Sequence, residues 1–163
     1  MRIGGNGVAR LTCPRDSAAD FLWAPDEMRW RRTFGGRPDQ VAAAREFART
    51  LFAGTECLDL VEFAVGELAA NTLRHTRSGE DGGWFGVELV YDDPVYVAVT
   101  DNGGSSVPTI KEPDDVWAES GRGLWALSQL AAKIGVEGCS RTGHLVWVEL
   151  HLDESSADPR GTW

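Results

Sequence analysis

The segment Glu67-Leu68-Ala69-Ala70-Asn71-Thr72-Leu73-Arg74-His75-Thr76 lies late in a predicted helix that runs from about Glu56 to Thr76. At 100° per residue, Glu67, Asn71 and Arg74 fall on one narrow stripe, and most of the remaining helix is apolar. Such a helix belongs inside a domain, so its polar stripe must face a cavity or a partner. Two interpretations are open: Glu67 is paired with Arg74, or Glu67 and Asn71 face a ligand.

The composition is typical of one globular domain. A chain of 163 residues with 42% hydrophobic and 25% charged side chains can bury a sizeable core. The net charge of −9, without a cluster of basic residues, argues against nucleic acid or an anionic membrane as the main partner. Cys13, Cys57 and Cys139 are scattered without metal-ligand spacing, and the chain has no apolar run of transmembrane length. We therefore expect reduced thiols and a cytoplasmic protein.

The hydrophobic pattern predicts an α+β domain. The expected elements are a strand near 29–34, an amphipathic helix from Pro38 to about Phe52, the helix that contains Glu67, a hairpin over 84–99, a helix that begins at Gly121-Arg122-Gly123, and a hairpin over 136–152. Thr55 is a candidate cap for the second helix, and Gly135 is expected to end the third. The economical packing is a two-layer α/β sandwich, with a mixed, mostly antiparallel sheet and about three helices on one face.

The two ends of the chain and one long loop have no steady period. Residues 1–28 are expected to be a loosely ordered extension and residues 153–163 a polar tail, on either side of a domain over 29–152. Within the domain, residues 105–120 contain two prolines and several acids. A loop of that length in a compact domain is usually functional or disordered.

Three polar features occur in order along the domain. The first is the stripe of Glu67 and Asn71, the second is Asp101 with Gly103-Gly104 after a central strand, and the third is Gly121-Arg122-Gly123. Each is weak alone, because Asp-Asn-Gly-Gly is most often a turn and a Gly-x-Gly is common at helix starts. Their order, and the long acidic loop between the second and third, are much less common by chance.

Together the three features resemble the motifs of the GHKL ATPase superfamily, which includes gyrase, histidine kinases and mismatch-repair ATPases. Residues Glu67 to His75 resemble its asparagine box, Asp101 to Gly104 its first glycine box, and Ser120 to Leu124 its second. The likeness covers about Trp30 to Leu152 and is greatest to the stand-alone bacterial anti-sigma-factor serine/threonine kinases. It implies the histidine-kinase-like ATPase fold. The first glycine box departs from its fullest form, Asp-x-Gly-x-Gly, because Ser105 holds the last position.

The resemblance implies roles for the metal and for the adenine side of an ATP site. Asn71 would offer its side-chain oxygen to Mg²⁺, a cation that prefers oxygen ligands. Asp101 would accept a hydrogen bond from the adenine amino group, and Gly103 would let the base approach the backbone. Thr142, in the last hairpin, is the candidate for a hydroxyl near adenine.

The resemblance also implies roles around the phosphates. Gly121 and Gly123 would present backbone N–H groups to them at the start of a helix, in the motif that Leu124 completes. Arg122 would contact a phosphate or face solvent, and residues 105–120 correspond to the family's nucleotide lid. Glu67 would be the catalytic base that takes a proton from the attacking hydroxyl.

The function implied is an ATP- and Mg²⁺-dependent regulatory serine/threonine kinase. It would bind a sigma factor and phosphorylate a serine on an anti-sigma-factor antagonist. Homodimers are common among these kinases, but the sequence does not fix the oligomeric state. A complete histidine kinase is not expected, since no dimerisation helix with a phosphoacceptor histidine precedes the domain. Two alternatives stay open: a regulatory module that works through protein contacts without catalysis, and a free-standing ATPase.

Overall fold

The computed structural model describes residues 28–104 and 122–151, which form five strands, three helices and a 3₁₀ turn. The strands are β1 (Met28–Gly35), β2 (Trp84–Tyr91), β3 (Val95–Thr100), β4 (Lys133–Cys139) and β5 (Gly143–Leu150). The helices are α1 (Pro38–Leu51), α2 (Leu58–His75) and α3 (Arg122–Leu130), and the 3₁₀ turn is Arg77–Gly79. The predicted N-terminal extension up to residue 27, the long loop over 105–120 and the tail over 153–163 lie outside the described residues.

The strands form one sheet in the order β1-β2-β3-β5-β4. Every pairing between the described strands is antiparallel, so the α+β fold is confirmed and the sheet is antiparallel rather than mixed in this part of the chain. In the central strand β3, Val97 lies opposite Leu89 of β2 and Val148 of β5. A strand with neighbours on both sides and helices above it needs an apolar run, which Val95-Tyr96-Val97-Ala98-Val99 supplies.

Helix α2 is the centre of the helical layer, and its apolar side chains pack on the sheet. Its buried apolar residues recur at spacings of three and four: Val61, Ala64, Val65, Leu68 and Ala69. Burying each valine or leucine contributes roughly 1.5–3 kcal/mol, so packing rather than helix propensity holds α2 in place. Although α2 has 18 residues, neither it nor another helix of the described part is long and apolar enough to cross a membrane.

Helix α1 supplies two arginines to a buried acid of α2. Glu62 is only 9% exposed. Arg49 donates to it from Nη2 at 2.6 Å and from Nε at 3.2 Å, and Arg45 Nε donates at 3.1 Å. The hydrogen bonds from Arg49 lower the pKa of Glu62. A carboxylate with two guanidinium partners is satisfied at this helix boundary.

The predicted cap of α2 is wrong. Helix α2 begins at Leu58, and its N-cap residue Cys57 makes no capping hydrogen bond with its side chain. The Thr55 hydroxyl donates instead to the carbonyl of Phe52 at 2.7 Å. Thr55 therefore closes the turn that follows α1, because its hydroxyl reaches back along the chain.

The predicted end of the third helix is also wrong. Helix α3 ends at Leu130, and Gly135 lies within β4 opposite Trp147 of β5. A Cβ atom at Gly135 would stand 2.4 Å from the Trp147 ring. This glycine makes room for an aromatic ring on the neighbouring strand, a requirement that resembles a helix stop in the sequence alone.

We expect Glu62→Gln to lower the melting temperature at pH 7 by about 5 °C, because Arg45 and Arg49 lose their charged acceptor. The pKa of Glu62 is lowered in the folded protein. Its stabilising contribution is therefore present above the unfolded pKa of about 4.3 and is lost as the pH falls through the folded pKa. The difference in melting temperature between wild type and variant, followed by circular dichroism from pH 7 to pH 3, should shrink on acidification.

Glu46→Gln is the matched control. Glu46 pairs with the same Arg49 at 2.7 Å, but from an exposed position one turn away on α1. Exposed ion pairs contribute little, so this change should move the melting temperature by less than about 2 °C. Equal effects of the two substitutions would contradict a distinct role for the buried carboxylate.

Candidate functional site

The carboxylate of Glu67 lies against the first turn of helix α3. A Cβ atom added to Gly123 would stand 1.6 Å from Glu67 Oε2, so a side chain at position 123 would displace this carboxylate. Gly123 is the second residue of α3, where backbone N–H groups have no acceptor within the helix and favour negative charge. The structure thus brings the first and third predicted motifs together.

Glu67 is not paired with Arg74. Within residues 28–104 and 122–151, Glu67 has no ion-pair or hydrogen-bond partner, and Arg74 is exposed. The acid of α2 that is buried and paired is Glu62, which meets the arginines of α1. The first of the two interpretations is therefore wrong, and the partly buried Glu67 carboxylate is available to a ligand.

A cavity of about 400 Å³ gives access to Glu67 from the side of α1. Val41 and Arg45 of α1 line one side of the cavity, and residues of α2 line the other, among them Phe63, Glu67 and Ala70. The lining is mixed, since the charged Arg45, Asp59 and Glu62 stand beside apolar residues. A side chain that entered the cavity would reach the Glu67 carboxylate.

Asn71 lies one helical turn after Glu67 and is partly buried. Its side chain makes no hydrogen bond to any other described residue, so the amide oxygen is free to accept a cation or a water. Among the described residues, no three His, Cys, Asp or Glu side chains form a group that could hold a metal. A magnesium ion here would take one amide oxygen from the protein and its other ligands from phosphate and water, as Mg²⁺ commonly does.

The Asp101 side chain holds the loop after β3 against the start of β5. It is 2% exposed. Its Oδ1 accepts hydrogen bonds from the backbone N–H of Gly103 at 2.5 Å and of His144 at 2.8 Å. Its Oδ2 lies 3.3 Å from the Nδ1 atom of His144. One carboxylate oxygen is thus used by the backbone, whereas the other faces a histidine ring.

Gly103 is required by the path of the backbone. Its φ of +72° is a left-handed conformation that favours glycine, and a Cβ atom there would stand 2.4 Å from the carbonyl oxygen of Ser140. Gly104 donates its N–H to the same carbonyl at 2.8 Å. The predicted first glycine box is therefore a loop packed against the β4–β5 turn.

Arg77 joins the end of α2 to this loop. Its backbone N–H donates to the carbonyl of Gly103 at 2.8 Å. Its Nη2 donates to the carbonyls of Asn102, Ser140 and Arg141 at 3.0, 3.3 and 3.3 Å. One guanidinium group therefore fixes the relative positions of the helix that carries Asn71 and the loop that carries Asp101.

Thr142 is not brought to Asp101. It is exposed in the β4–β5 turn, and its Oγ1 lies 3.2 Å from the sulfur of Cys139. This hydrogen bond lowers the pKa of the Cys139 thiol. The side chain of the last hairpin that does contact Asp101 is His144, two residues later. A role for Thr142 near adenine stays a prediction.

The second predicted glycine box is only partly described. Gly121 lies outside the described residues, and Arg122 is the exposed first residue of α3. Leu124 is 7% exposed and belongs to the hydrophobic core, which fixes the first turn of α3 beneath Glu67. Phosphate binding by this motif stays a prediction.

Sequence reasoning missed three residues that organise the site. Glu62 was assigned no partner, although Arg45 and Arg49 stand one turn apart on the preceding helix. Arg77 follows the asparagine box by two residues, and this position is the signal that the sequence offers for it. His144 lies in the predicted last hairpin, where nothing in the sequence distinguishes it from an ordinary buried histidine.

Comparison with known protein families agrees with this architecture. The model of the histidine kinase-like ATPase domain matches residues 34–150, more than two thirds of the chain. The matched segment includes Glu67, Asn71, Asp101 and the first turn of α3. No match to this chain was found among curated proteins. The five-stranded antiparallel sheet with helices on one face and the family match lead to the same conclusion: this chain belongs to the histidine kinase-like ATPase domain family.

Proposed function

We propose that this protein is an ATP- and Mg²⁺-dependent serine/threonine kinase of the anti-sigma-factor type. It would act in the cytoplasm, bind a sigma factor and phosphorylate a serine on an anti-sigma-factor antagonist. The observation that carries the proposal is the Glu67 carboxylate, which has no partner among the described side chains and lies against Gly123 at the start of α3. A carboxylate without a salt bridge is suited to accept a proton.

The charges around Glu67 support this role. Arg45 is close to the same cavity, but its guanidinium is engaged by Glu62. A general base must keep its lone pairs for the reacting hydroxyl, so an arginine bonded to Glu67 would compete with the substrate. Glu62 would therefore serve Glu67 indirectly, by holding an arginine that lines the same cavity.

Asn71 and Asp101 would bind opposite ends of the nucleotide. The unpartnered amide of Asn71 fits a magnesium ion that bridges phosphates, and the free lone pairs of Asp101 Oδ2 fit the adenine amino group. Magnesium would neutralise charge as the phosphoryl group moves, since phosphoryl transfer depends mainly on positioning and electrostatics. The Arg77 contacts support the proposal because they hold these two contributors at a fixed separation.

Glu67→Gln should reduce phosphoryl transfer to an antagonist protein by a factor of about 10²–10⁴, because an amide cannot accept the hydroxyl proton. ATP affinity should change by less than about threefold, since no nucleotide contact is assigned to this side chain. Transfer from [γ-³²P]ATP to candidate antagonists measures the first quantity, and calorimetry with Mg²⁺-ATP measures the second.

Asp59→Asn is the matched control, an acid-to-amide change on an exposed residue of the same helix and the same cavity. It should leave transfer unchanged.

ATP binding without transfer in the wild type would indicate a non-catalytic module, and phosphate release without a protein acceptor would indicate an ATPase. Failure of the wild type to bind ATP would refute the proposal altogether.

Asn71→Ala should abolish the Mg²⁺ dependence of ATP binding, because it removes the predicted metal-binding oxygen. Titrations with ATP in Mg²⁺ and in EDTA should differ by at least about tenfold in Kd for the wild type and by less than about twofold for the variant. The EDTA titrations serve as the control, since both proteins should bind metal-free ATP equally. A variant that keeps the full Mg²⁺ effect would exclude Asn71 as the metal ligand.

Gly123→Ala should impair transfer through Glu67, because the added methyl group displaces the carboxylate. The fold should tolerate the change, since a carboxylate is the movable end of a flexible side chain and alanine favours helix by about 1 kcal/mol over glycine. A double-mutant cycle of transfer rates tests this. Gly123→Ala should lower the rate at least about tenfold in the wild type and by less than about threefold in Glu67→Gln. Equal losses in both backgrounds would show that Gly123 acts independently of Glu67.

A further inference from the structure

We propose that the face of the sheet opposite the helices is an interaction surface, and that its occupant is the segment over residues 20–27 of this same chain. The segment would run from β1 across the outward side chains of β3 and pack Phe21, Leu22 and Trp23 on them. This inference goes beyond the proposed function and does not depend on nucleotide binding, so each can fail without the other.

The alternation of side chains along the strands defines this outer face. On β3, the core beneath the helices contains Val95, Val97 and Val99. Tyr96 and Ala98 therefore point away from the helices. The register of the neighbouring strands places further apolar side chains beside them, and together these form the apolar part of the outer face: Trp84, Val90, Tyr96, Ala98, Leu145 and Trp147.

The outer face contains a second apolar cluster, separate from the core. Val90 and Ala98 are 4% and 0% exposed, although neither belongs to the core beneath the helices. The rings of Tyr96 and Trp147 stack with their centroids 6.0 Å apart, and burial raises the pKa of Tyr96. A solvated sheet face normally carries polar side chains, and a continuous apolar patch marks an interaction site. No helix or strand of the described residues lies across this cluster, so its occupant belongs to the rest of the chain or to another molecule.

The segment over residues 20–27 is within reach of this cluster. Met28 begins β1, an edge strand of the sheet, so the residues before it meet the sheet beside the outer face. Neighbouring strands are about 4.8 Å apart and a layer packed on a sheet lies about 10 Å above it, so a segment over β3 is about 14 Å from Met28. The five residues from Trp23 to Met28 span up to about 17 Å when extended. Trp23 can therefore be placed over Tyr96.

The apolar side chains of the segment match the aromatic cluster. Phe21-Leu22-Trp23 is the longest run of large apolar residues before β1. Aromatic rings favour edge-to-face or offset contacts with other rings, which the stacked pair of Tyr96 and Trp147 offers. Ala98 lies opposite Trp147 in the register and is small, so a ring can approach the sheet there.

Charge complements the contact at its β1 end. Arg29 and Arg31 both form ion pairs with the one carboxylate of Glu88, so this end of the outer face has more positive than negative charge. Asp26 and Glu27 directly precede β1 and would bring two carboxylates there. Such exposed charge pairs orient a contact more than they strengthen it, so the apolar side chains would supply most of the stabilisation.

The covalent connection favours this segment over a second copy of the protein. A segment on a short linker has an effective concentration on the order of millimolar at its binding site. Pro25 lacks a backbone N–H group, so it is poorly suited to a strand added beside β1 but is compatible with an extended segment that crosses the face. We therefore expect the outer face to be covered within each molecule.

Photo-crosslinking in the full chain identifies the occupant. Replacing Tyr96 by p-benzoylphenylalanine puts a photoreactive ring at the centre of the outer face, and peptide mass spectrometry of the irradiated protein locates the crosslink. We expect a crosslink to residues 20–27 within a product of monomer mass. The matched control replaces Glu46, at an exposed position of α1 in the helical layer, and should give no crosslink to this segment.

Nuclear Overhauser effects test the same contact in the unmodified protein. The ring protons of Trp23 should show them to the ring protons of Tyr96 or Trp147. This measurement does not depend on the folding of a variant.

Replacing Phe21, Leu22 and Trp23 together by serine should lower the melting temperature of the full chain by roughly 5–10 °C, because their burial on the outer face is lost. The matched control removes three apolar side chains farther from β1, by replacing Ile3, Val8 and Leu11 with serine. It should change the melting temperature by less than about 2 °C.

Several results would overturn the inference. A crosslink from position 96 to a second copy would show that the outer face is an interface between copies. A crosslink confined to the neighbouring strands, or the absence of Overhauser effects from Trp23, would show that the segment does not lie on this face. An unchanged melting temperature in the first serine variant, or an equal fall in the control, would show that the contact makes no specific contribution to stability. Each of these results would leave the proposed function untouched.

Discussion

The burial of helix α2 between α1 and the sheet is the constraint on which the other features depend. It forces each polar side chain of this helix to find a partner or to face a cavity. Besides the exposed Asp59, the helix carries two acids that are at least partly buried, Glu62 and Glu67, and they meet this requirement differently. Glu62 is held by Arg45 and Arg49, whereas Glu67 has no cationic partner in the described residues and lies beside Gly123. The ion pairs with α1 give Glu62 a role in stability, whereas no such contact explains Glu67, and this difference is why we propose a functional role for Glu67.

The proposed adenine side and the proposed phosphate side of the site are built differently. Backbone and side-chain hydrogen bonds from Arg77 fix the loop after β3 to the end of α2 and to the β4–β5 turn. Asp101 accepts a hydrogen bond from the backbone N–H of His144 at the start of β5, so contacts within the protein hold this half of the proposed site in place. Such pre-organisation reduces the entropy lost on binding. On the proposed phosphate side, the start of α3 is held in place because Leu124 is buried in the core.

The local hydrophobic pattern of the sequence predicted the helices and strands, but it did not predict the contacts between one element and another. Periodicity predicted α2 and the hairpin of β2 and β3, since it reports which face of an element is buried. It could not show that α1 lies against Glu62, because this depends on the packing of one helix on another. The prediction that Gly135 ends a helix was wrong for a related reason. A glycine is needed there because of the Trp147 ring on the neighbouring strand, which the local sequence does not show. The three motifs were found because each is contiguous, whereas His144 contributes through a contact with Asp101, 43 residues away.

The polar groups without partners favour a ligand-binding domain over a scaffold that has lost its ligand. The Glu67 carboxylate, the Asn71 amide and Nε2 of His144 all have no hydrogen-bond partner in the described ranges. The first two belong to α2 and the third to β5, two of the elements that surround the predicted nucleotide site. An unsatisfied polar group at a partly or fully buried position lowers stability, and most substitutions to apolar residues would remove that cost. A protein that used this fold only for contacts at its outer surface would have no reason to keep all three. Their combination is expected where one ligand supplies a cation, a transferable phosphoryl group and a hydrogen-bond donor at once, as Mg²⁺-ATP does.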